Sequence, residues 1–177
     1  VPLVNSVGWA VVVDGLIAAV GIRGGNHAGQ VLELECGKQQ RTVELLERIA
    51  RATTGALLRA SVRLGAIYAG ATAGHLEALS RYGEHIGLAF QIVDDLLDVQ
   101  QSSEALGKTA GKDAEQHKIT FPSVYGIARP EEMAEEQRLS AHAALELCDQ
   151  RAERPRHCAA PVVPRHAFAT PHPPPAR

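Results

Sequence analysis

The chain has 177 residues, of which 45% are hydrophobic, and a formal net charge of −2. This length suits one domain or a large part of one, and the apolar fraction is sufficient for a buried core. The near-neutral charge gives no reason to expect nucleic acid or an anionic membrane surface as a partner.

The three cysteines, Cys36, Cys148 and Cys158, have no paired spacing. They do not indicate a disulfide framework, so we expect a reducing compartment and predict a cytoplasmic protein. Aromatic residues are only 4% of the chain, while Ala, Leu, Glu and Arg are frequent. This composition favours an all-α fold over a sheet.

An apolar run from Val7 to Ile22 lies near the start of the chain. It is shorter than the ~20 apolar residues of a membrane-spanning helix, and Asp14 interrupts it. No basic segment precedes it, so it does not fit a secretory signal. We therefore expect a buried helix and no membrane span. Because the chain starts at Val1 rather than Met, we expect a further segment upstream.

Glycine and polar clusters divide the rest of the chain. Positions 21–29 predict a break and positions 35–40 a polar loop, after which Thr42 can cap a long helix with an apolar face. A break at 70–74 precedes a second long helix over 75–99, and 100–115 indicates a polar connection. Further helices are predicted near Pro122 and after a turn at Pro130.

The composition changes sharply beyond Gln150. Seven of the ten prolines lie between Pro155 and Pro175, and such a segment cannot form regular backbone hydrogen bonds. We therefore divide the chain into a folded part, residues 1–150, and a proline-rich tail, residues 151–177. We expect the tail to be disordered or to result from a shifted reading frame.

The most informative stretch is GLAFQIVDDLLDV, residues 87–99. On a helical wheel with ~100° per residue, Asp94, Asp98 and Asp95 fall within about 100° of one another, and Gln91 lies among them. Apolar side chains occupy the opposite side of the helix. The pattern predicts a helix with one buried face and one carboxylate-bearing face.

Three carboxylates on one helical ridge repel one another, by about 1 kcal/mol per pair at 4 Å in water and by more near a protein surface. Cations between them would remove this cost, and Mg²⁺ prefers such oxygen ligands together with water and phosphate. The pattern therefore predicts a diphosphate substrate bridged through magnesium, with a solvated acidic helix face as the alternative. A glycine- and lysine-containing stretch, 106–118, follows directly and favours the site, because lysines can pair with phosphate oxygens.

These residues resemble the polyprenyl synthetases, the trans-isoprenyl diphosphate synthases that include farnesyl and geranylgeranyl diphosphate synthases. GLAFQIVDDLLDV, followed by ALGKTAGKDAEQHKITFPSVYG, looks like the second aspartate-rich motif of that family and the lysine-containing segment after it. Gly29-Gln30 resembles a glycine-glutamine element, and Thr54-Gly55 resembles part of a Lys-Thr-Gly helix. The resemblance covers residues 29–149, so it includes only the carboxyl-terminal half of such an enzyme.

The resemblance implies an incomplete antiparallel helical bundle of the isoprenoid-synthase type, commonly homodimeric when complete. Such enzymes condense an allylic diphosphate with isopentenyl diphosphate, and they hold Mg²⁺ together with the substrate diphosphate. Carried onto this chain, the resemblance makes Asp94 and Asp98 metal ligands. Asp95 would support the metal through its water shell.

The same resemblance implies residues for the substrate. Lys108 and Lys118 would hold the allylic diphosphate beside Thr54, and Gln91 would lie next to the reacting carbons. Phe90 would pack or shape the cavity wall. The implied catalytic residues are Asp94, Gln91 and Lys118.

Two departures from the family pattern affect the expected activity. The first aspartate-rich motif is absent from the 177 residues, and Thr53 stands where the family has the lysine of Lys-Thr-Gly. Because half of the expected metal clamp is missing, we expect this chain alone to show no prenyltransferase activity. The alternative function is a non-catalytic partner that modulates a complete synthase, although the retained carboxylates and lysines argue against it.

Overall fold

A computed structural model describes residues 6–21, 25–36, 42–106 and 119–146, together with the single positions 148, 155, 158, 159 and 162. This part of the chain is helical and contains no strand, which confirms the predicted all-α class. Its α-helices are α1 (Ser6–Val20), α2 (Asn26–Cys36), α3 (Val43–Ala50), α4 (Ala56–Tyr68), α5 (Ala73–Leu106), α6 (Phe121–Tyr125) and α7 (Ala128–Ala144).

Helices α3 and α4 form one continuous rod, joined by a π-helical turn over Arg51–Gly55. The Thr42 side chain accepts a hydrogen bond of 3.3 Å from the backbone N–H of Leu45, as predicted for the helix cap. The π turn inserts one extra residue per turn, and such turns are frequent at functional sites. It therefore changes the direction in which Thr53 and Thr54 point relative to the rest of the rod.

Helix α5 is the centre of the bundle, with α4 packed along it on one side and α7 on another. Its apolar side is buried as predicted, through Ile86, Ala89, Ile92, Val93 and Leu96. The helix has 34 residues and ends at Leu106. The polar connection predicted over 100–115 therefore starts later, because polar side chains such as Gln and Glu do not stop a helix whose earlier turns are packed.

Helix α1 forms over the apolar run, but the prediction that it is buried is wrong. Among its described side chains, Ala19 is buried, whereas an apolar ridge is 48% to 63% exposed, consisting of Val13, Leu16, Ile17 and Val20. Helices α2 and α4 contact α1 from one side and leave this ridge uncovered. None of the helices in the described ranges combines the length and apolar content needed to cross a bilayer.

Helix α7 starts at Ala128, three residues before the predicted start at Glu131, so Pro130 lies within its first turn and not in a turn before it. Proline is tolerated there because a backbone N–H in the first turn has no partner within the helix.

Three of the described positions in the proline-rich tail contact the folded part of the chain. Ala159 is fully buried, Val162 packs against the core, and the carbonyl oxygen of Pro155 accepts a hydrogen bond of 2.7 Å from the Tyr82 hydroxyl. Disorder therefore does not hold at these positions. Cys158 is also described and is exposed. The other residues of 151–177 lie outside the described residues, so their disorder stays a prediction.

Candidate functional site

The carboxylates of the DDxxD sequence lie on two different faces of α5. Asp94 and Asp98 are exposed and one helical turn apart. Phe90, one turn before Asp94, is 48% exposed, so it extends this ridge and is not packed in the core. Asp95, in contrast, is 1% exposed. We name the exposed face formed by Phe90, Asp94 and Asp98 the carboxylate ridge.

A chain of hydrogen bonds holds the buried carboxylate. The Gln91 amide nitrogen Nε2 donates to Oδ1 of Asp95 at 3.0 Å, and the backbone N–H of Phe121 donates to Oδ2 at 3.0 Å. The Thr54 hydroxyl donates to Oε1 of Gln91 at 2.9 Å. These bonds join the π turn, α5 and the first residue of α6. They also determine the orientation of the Gln91 amide, whose oxygen faces a donor and whose nitrogen faces an acceptor.

A cavity of about 190 Å³ borders this hydrogen-bond chain. The polar side chains in its wall are Asn26, Gln30, Thr53, Gln91 and Asp95. Gln30 therefore reaches this cavity from α2. Asn26 was not identified from the sequence, although its position one turn before Gln30 places both on one face of α2.

Close contact between α2 and the π turn forms one wall of this cavity. A Cβ atom at Gly29 would lie 2.4 Å from the Cγ2 atom of Thr53, so a residue with a side chain could not occupy that position without displacement. The Thr53 hydroxyl donates a hydrogen bond of 2.8 Å to the carbonyl oxygen of Ile49 and is thereby satisfied within its own helix.

A larger cavity of about 670 Å³ lies along the same rod and is bordered by α2. Its wall contains Arg48, Arg51 and Arg59, together with apolar residues of α2. Glu84 on α5 forms an ion pair of 3.1 Å with Arg59.

The donor set of the carboxylate ridge suits Mg²⁺. In the described ranges, no three or more His, Cys, Asp or Glu side chains gather closely enough to form a metal site by themselves. Asp94 and Asp98 instead offer two accessible carboxylates, and Mg²⁺ typically takes one or two from the protein and fills its shell with water and substrate phosphate. Lys108 and Lys118 lie outside the described residues, so their contact with a diphosphate stays a prediction.

Comparison with known proteins identifies relatives of this chain. The polyprenyl synthetase family model matches residues 20–155. The chain is 46% identical over 129 residues to a chloroplastic geranylgeranyl pyrophosphate synthase of Capsicum annuum, and the match covers 72% of this chain and 35% of that protein. It is 43% identical over 133 residues to a chloroplastic geranylfarnesyl diphosphate synthase of Leucosceptrum canum, covering 73% of this chain and 35% of that protein. The chain therefore spans about a third of the length of these relatives.

Solved structures of similar proteins share the fold. Geranylgeranyl pyrophosphate synthetase from Pyrococcus horikoshii superposes with a TM-score of 0.76 at 24% identity, over 92% of this chain and 61% of that one. A geranyltransferase from Helicobacter pylori, complexed with magnesium and isoprenyl diphosphate, gives a TM-score of 0.72 at 25% identity, over 91% of this chain and 52% of that one. The predicted isoprenoid-synthase-type bundle is thereby confirmed for the described helices.

Proposed function

Because the chain belongs to the polyprenyl synthetase family, we propose that it carries the second aspartate-rich half of a prenyl diphosphate synthase site. The proposed reaction is the condensation of an allylic diphosphate with isopentenyl diphosphate. The observation that supports this most is the exposed pair Asp94 and Asp98 beside the hydrogen-bonded Thr54 and Gln91. The relatives are named as geranylgeranyl and geranylfarnesyl diphosphate synthases, which supports prenyl transfer as the class of reaction.

Asp94 and Asp98 would hold Mg²⁺ at the carboxylate ridge. The ion would supply positive charge that neutralises the diphosphate as it leaves the allylic carbon. Lys108 and Lys118 would add two cationic groups for the diphosphate oxygens. With Mg²⁺ at the carboxylate ridge and two lysines in the following stretch, we expect the diphosphate to bind between these two sources of positive charge.

Gln91 would lie next to the reacting carbons in a defined orientation. Its amide oxygen already accepts from Thr54 and its amide nitrogen donates to Asp95, so the group is fixed before substrate binds. A fixed dipole costs no reorganisation during the reaction. Phe90 at the exposed end of the ridge would contribute apolar wall for the isoprenoid.

We also propose that the 177-residue chain alone does not catalyse the condensation of the two diphosphates. The sequence contains one DDxxD motif, and the family mechanism that the resemblance implies needs two facing motifs. A modulating partner subunit is the second candidate function, favoured by Thr53 at the position of the family's lysine. Without that lysine, diphosphate binding would be weaker, whether the chain is part of a synthase site or a partner subunit.

The apolar ridge of α1 is the proposed contact between two copies of the chain. Its four side chains are about half exposed, and a second copy would offer the same apolar surface by two-fold symmetry.

A cytoplasmic location stays a prediction from the cysteines, whereas the plant relatives carry the word chloroplastic in their names.

Binding tests this function more directly than turnover. Titration calorimetry with geranyl diphosphate should show binding that requires Mg²⁺ and is lost in Asp94→Ala and Asp98→Ala. The matched control is Glu77→Ala, which removes another exposed carboxylate from the same helix. If the aspartate variants bind as the control does, the carboxylate ridge is not the metal site. Product formation from geranyl and isopentenyl diphosphates by the purified chain would contradict the proposed inactivity.

A further inference from the structure

Asp95 differs from its two neighbouring aspartates in burial and in partners. It is 1% exposed, and both of its carboxylate oxygens accept hydrogen bonds from the protein, Oδ1 from Gln91 and Oδ2 from the backbone of Phe121. Asp94 and Asp98 face outward on the carboxylate ridge. A buried carboxylate is stable only when such donors replace its water shell. Its environment is therefore that of a structural anchor.

The partner at Oδ2 lies 26 residues further along the chain. Phe121 is the first residue of α6, so its N–H has no acceptor within that helix. Asp95 supplies the acceptor and thereby fixes the start of α6 against α5. Ile119, 2% exposed, and the fully buried Phe121 side chain pack in the same core.

This anchor lies where the lysine-containing stretch ends. Lys118 directly precedes Ile119 in the sequence. At its other oxygen, Asp95 orients Gln91, whose amide is also held by Thr54. One carboxylate thus holds Gln91 and the residues that directly follow Lys118 in the sequence.

We infer that Asp95 is a positioning residue that ties the chain after the lysine-containing stretch to Gln91, and that it does not bind the metal. The inference rests on the proposed function for the identity of the ligand, but the anchor itself is a property of the free protein. Asn at this position can replace the anchor. Its side-chain oxygen can accept from Phe121, and its NH₂ can donate to Gln91 once that amide has flipped, with Thr54 then accepting.

Hydrogen exchange of the full chain without ligand tests the anchor. In Asp95→Ala, amide exchange in residues 119–125 should rise by about 10-fold or more, because a hydrogen bond to a charged group is lost. In Asp95→Asn it should stay within a few-fold of the wild-type rate. Asp94→Asn, which changes the adjacent exposed carboxylate, should leave the exchange of this segment unchanged. If Asp95→Ala exchanges like the wild type in 119–125, the anchor does not exist.

Binding of inorganic pyrophosphate with Mg²⁺, measured on the same variants, separates positioning from metal ligation. Asp95→Asn should bind within a few-fold of the wild type, whereas Asp94→Asn should lose the dependence on Mg²⁺. Equal loss in both variants would overturn the inference, because an isosteric amide rescues a hydrogen-bond anchor but not a metal ligand. Should Asp95→Ala not fold, Asp95→Asn against Asp94→Asn still decides between the two roles.

These outcomes also separate this inference from the proposed function. If the wild type binds no pyrophosphate, the proposed function fails, while the exchange of residues 119–125 in the Asp95 variants still shows whether the anchor exists. If the wild type binds but Asp95→Asn does not, the proposed function stands and the positioning role is wrong.

Discussion

Gly87 of α5 packs directly on Gly55 of the π turn, where a Cβ atom added to Gly87 would lie 2.6 Å from the Cα atom of Gly55. Both residues are buried. The contact brings the two backbones together one helical turn before Gln91, and it therefore sets the distance across which Gln91 meets Thr54.

Replacement of Gly87 by alanine should destabilise the protein and disturb the site. The methyl group would force α5 away from the π turn, and overpacking of this kind typically costs about 1–3 kcal/mol. The free energy of unfolding in urea measures the effect. Gly65→Ala is the control, because a Cβ at Gly65 meets nothing within 4 Å and a helical alanine gains roughly 0.5–1 kcal/mol over glycine. Equal stability changes in both variants would contradict the close contact.

Removal of the Thr54 hydroxyl should loosen Gln91. Thr54→Val keeps the shape of the side chain but leaves the Gln91 oxygen without this donor, at a cost of about 1–2 kcal/mol. We expect weaker Mg²⁺-dependent binding of geranyl diphosphate as well, because the amide is no longer fixed. In the control Ser61→Ala, the lost hydroxyl donates only to Leu57 of its own helix on an exposed face. That change should stay within about 0.5 kcal/mol.

Tyr82 should make the stability of the fold sensitive to alkaline pH. Burial, followed by the charge of Cys158, raises the pKa of Tyr82 from 10.0 to about 12. The unfolded chain therefore ionises first. The stabilisation that the neutral phenol provides is complete below pH 10 and is lost as the pH rises towards about 12.

Urea unfolding at pH 8 and pH 11 checks this prediction for Tyr82→Phe. The variant should be less stable than the wild type by about 1 kcal/mol at pH 8, because it lacks the hydrogen bond to Pro155. At pH 11 the difference should shrink, since phenylalanine cannot ionise. Tyr68→Phe, which alters a tyrosine that is 50% exposed, is the control. If the difference in the free energy of unfolding between Tyr82→Phe and the wild type does not depend on pH, the pKa of Tyr82 is not raised in the folded protein.

A charge on the apolar ridge of α1 should dissociate the proposed dimer. Ile17 is 63% exposed on this ridge, so Ile17→Glu would bury a charge in the interface without affecting the fold of the single chain. Sedimentation velocity should show a dimer for the wild type and a monomer for the variant. Leu139→Glu on α7 is the matched control, because Leu139 is 54% exposed and lies outside the ridge. A monomeric wild type would rule out this interface.

Local sequence patterns predicted much of the fold because helices depend on near neighbours. The Thr42 cap and the buried side of α5 follow from residues three and four positions apart, and both predictions are confirmed. The end of α5 was predicted too early, since packing of its first turns carries the helix through polar residues to Leu106. The exposure of α1 was missed because hydrophobicity indicates a surface that needs a partner, but not whether this chain supplies it.

The sequence by itself determined the family, the all-α class and the position of the carboxylate motif, since these depend on residue identity and helical period. Only the tertiary structure decided which aspartate faces inward. The angle between Asp94 and Asp95 is set by the helix at ~100°, but the helices that cover one of these two directions come from distant parts of the chain. Phe121, 26 residues away, provides the N–H that makes burial of Asp95 possible.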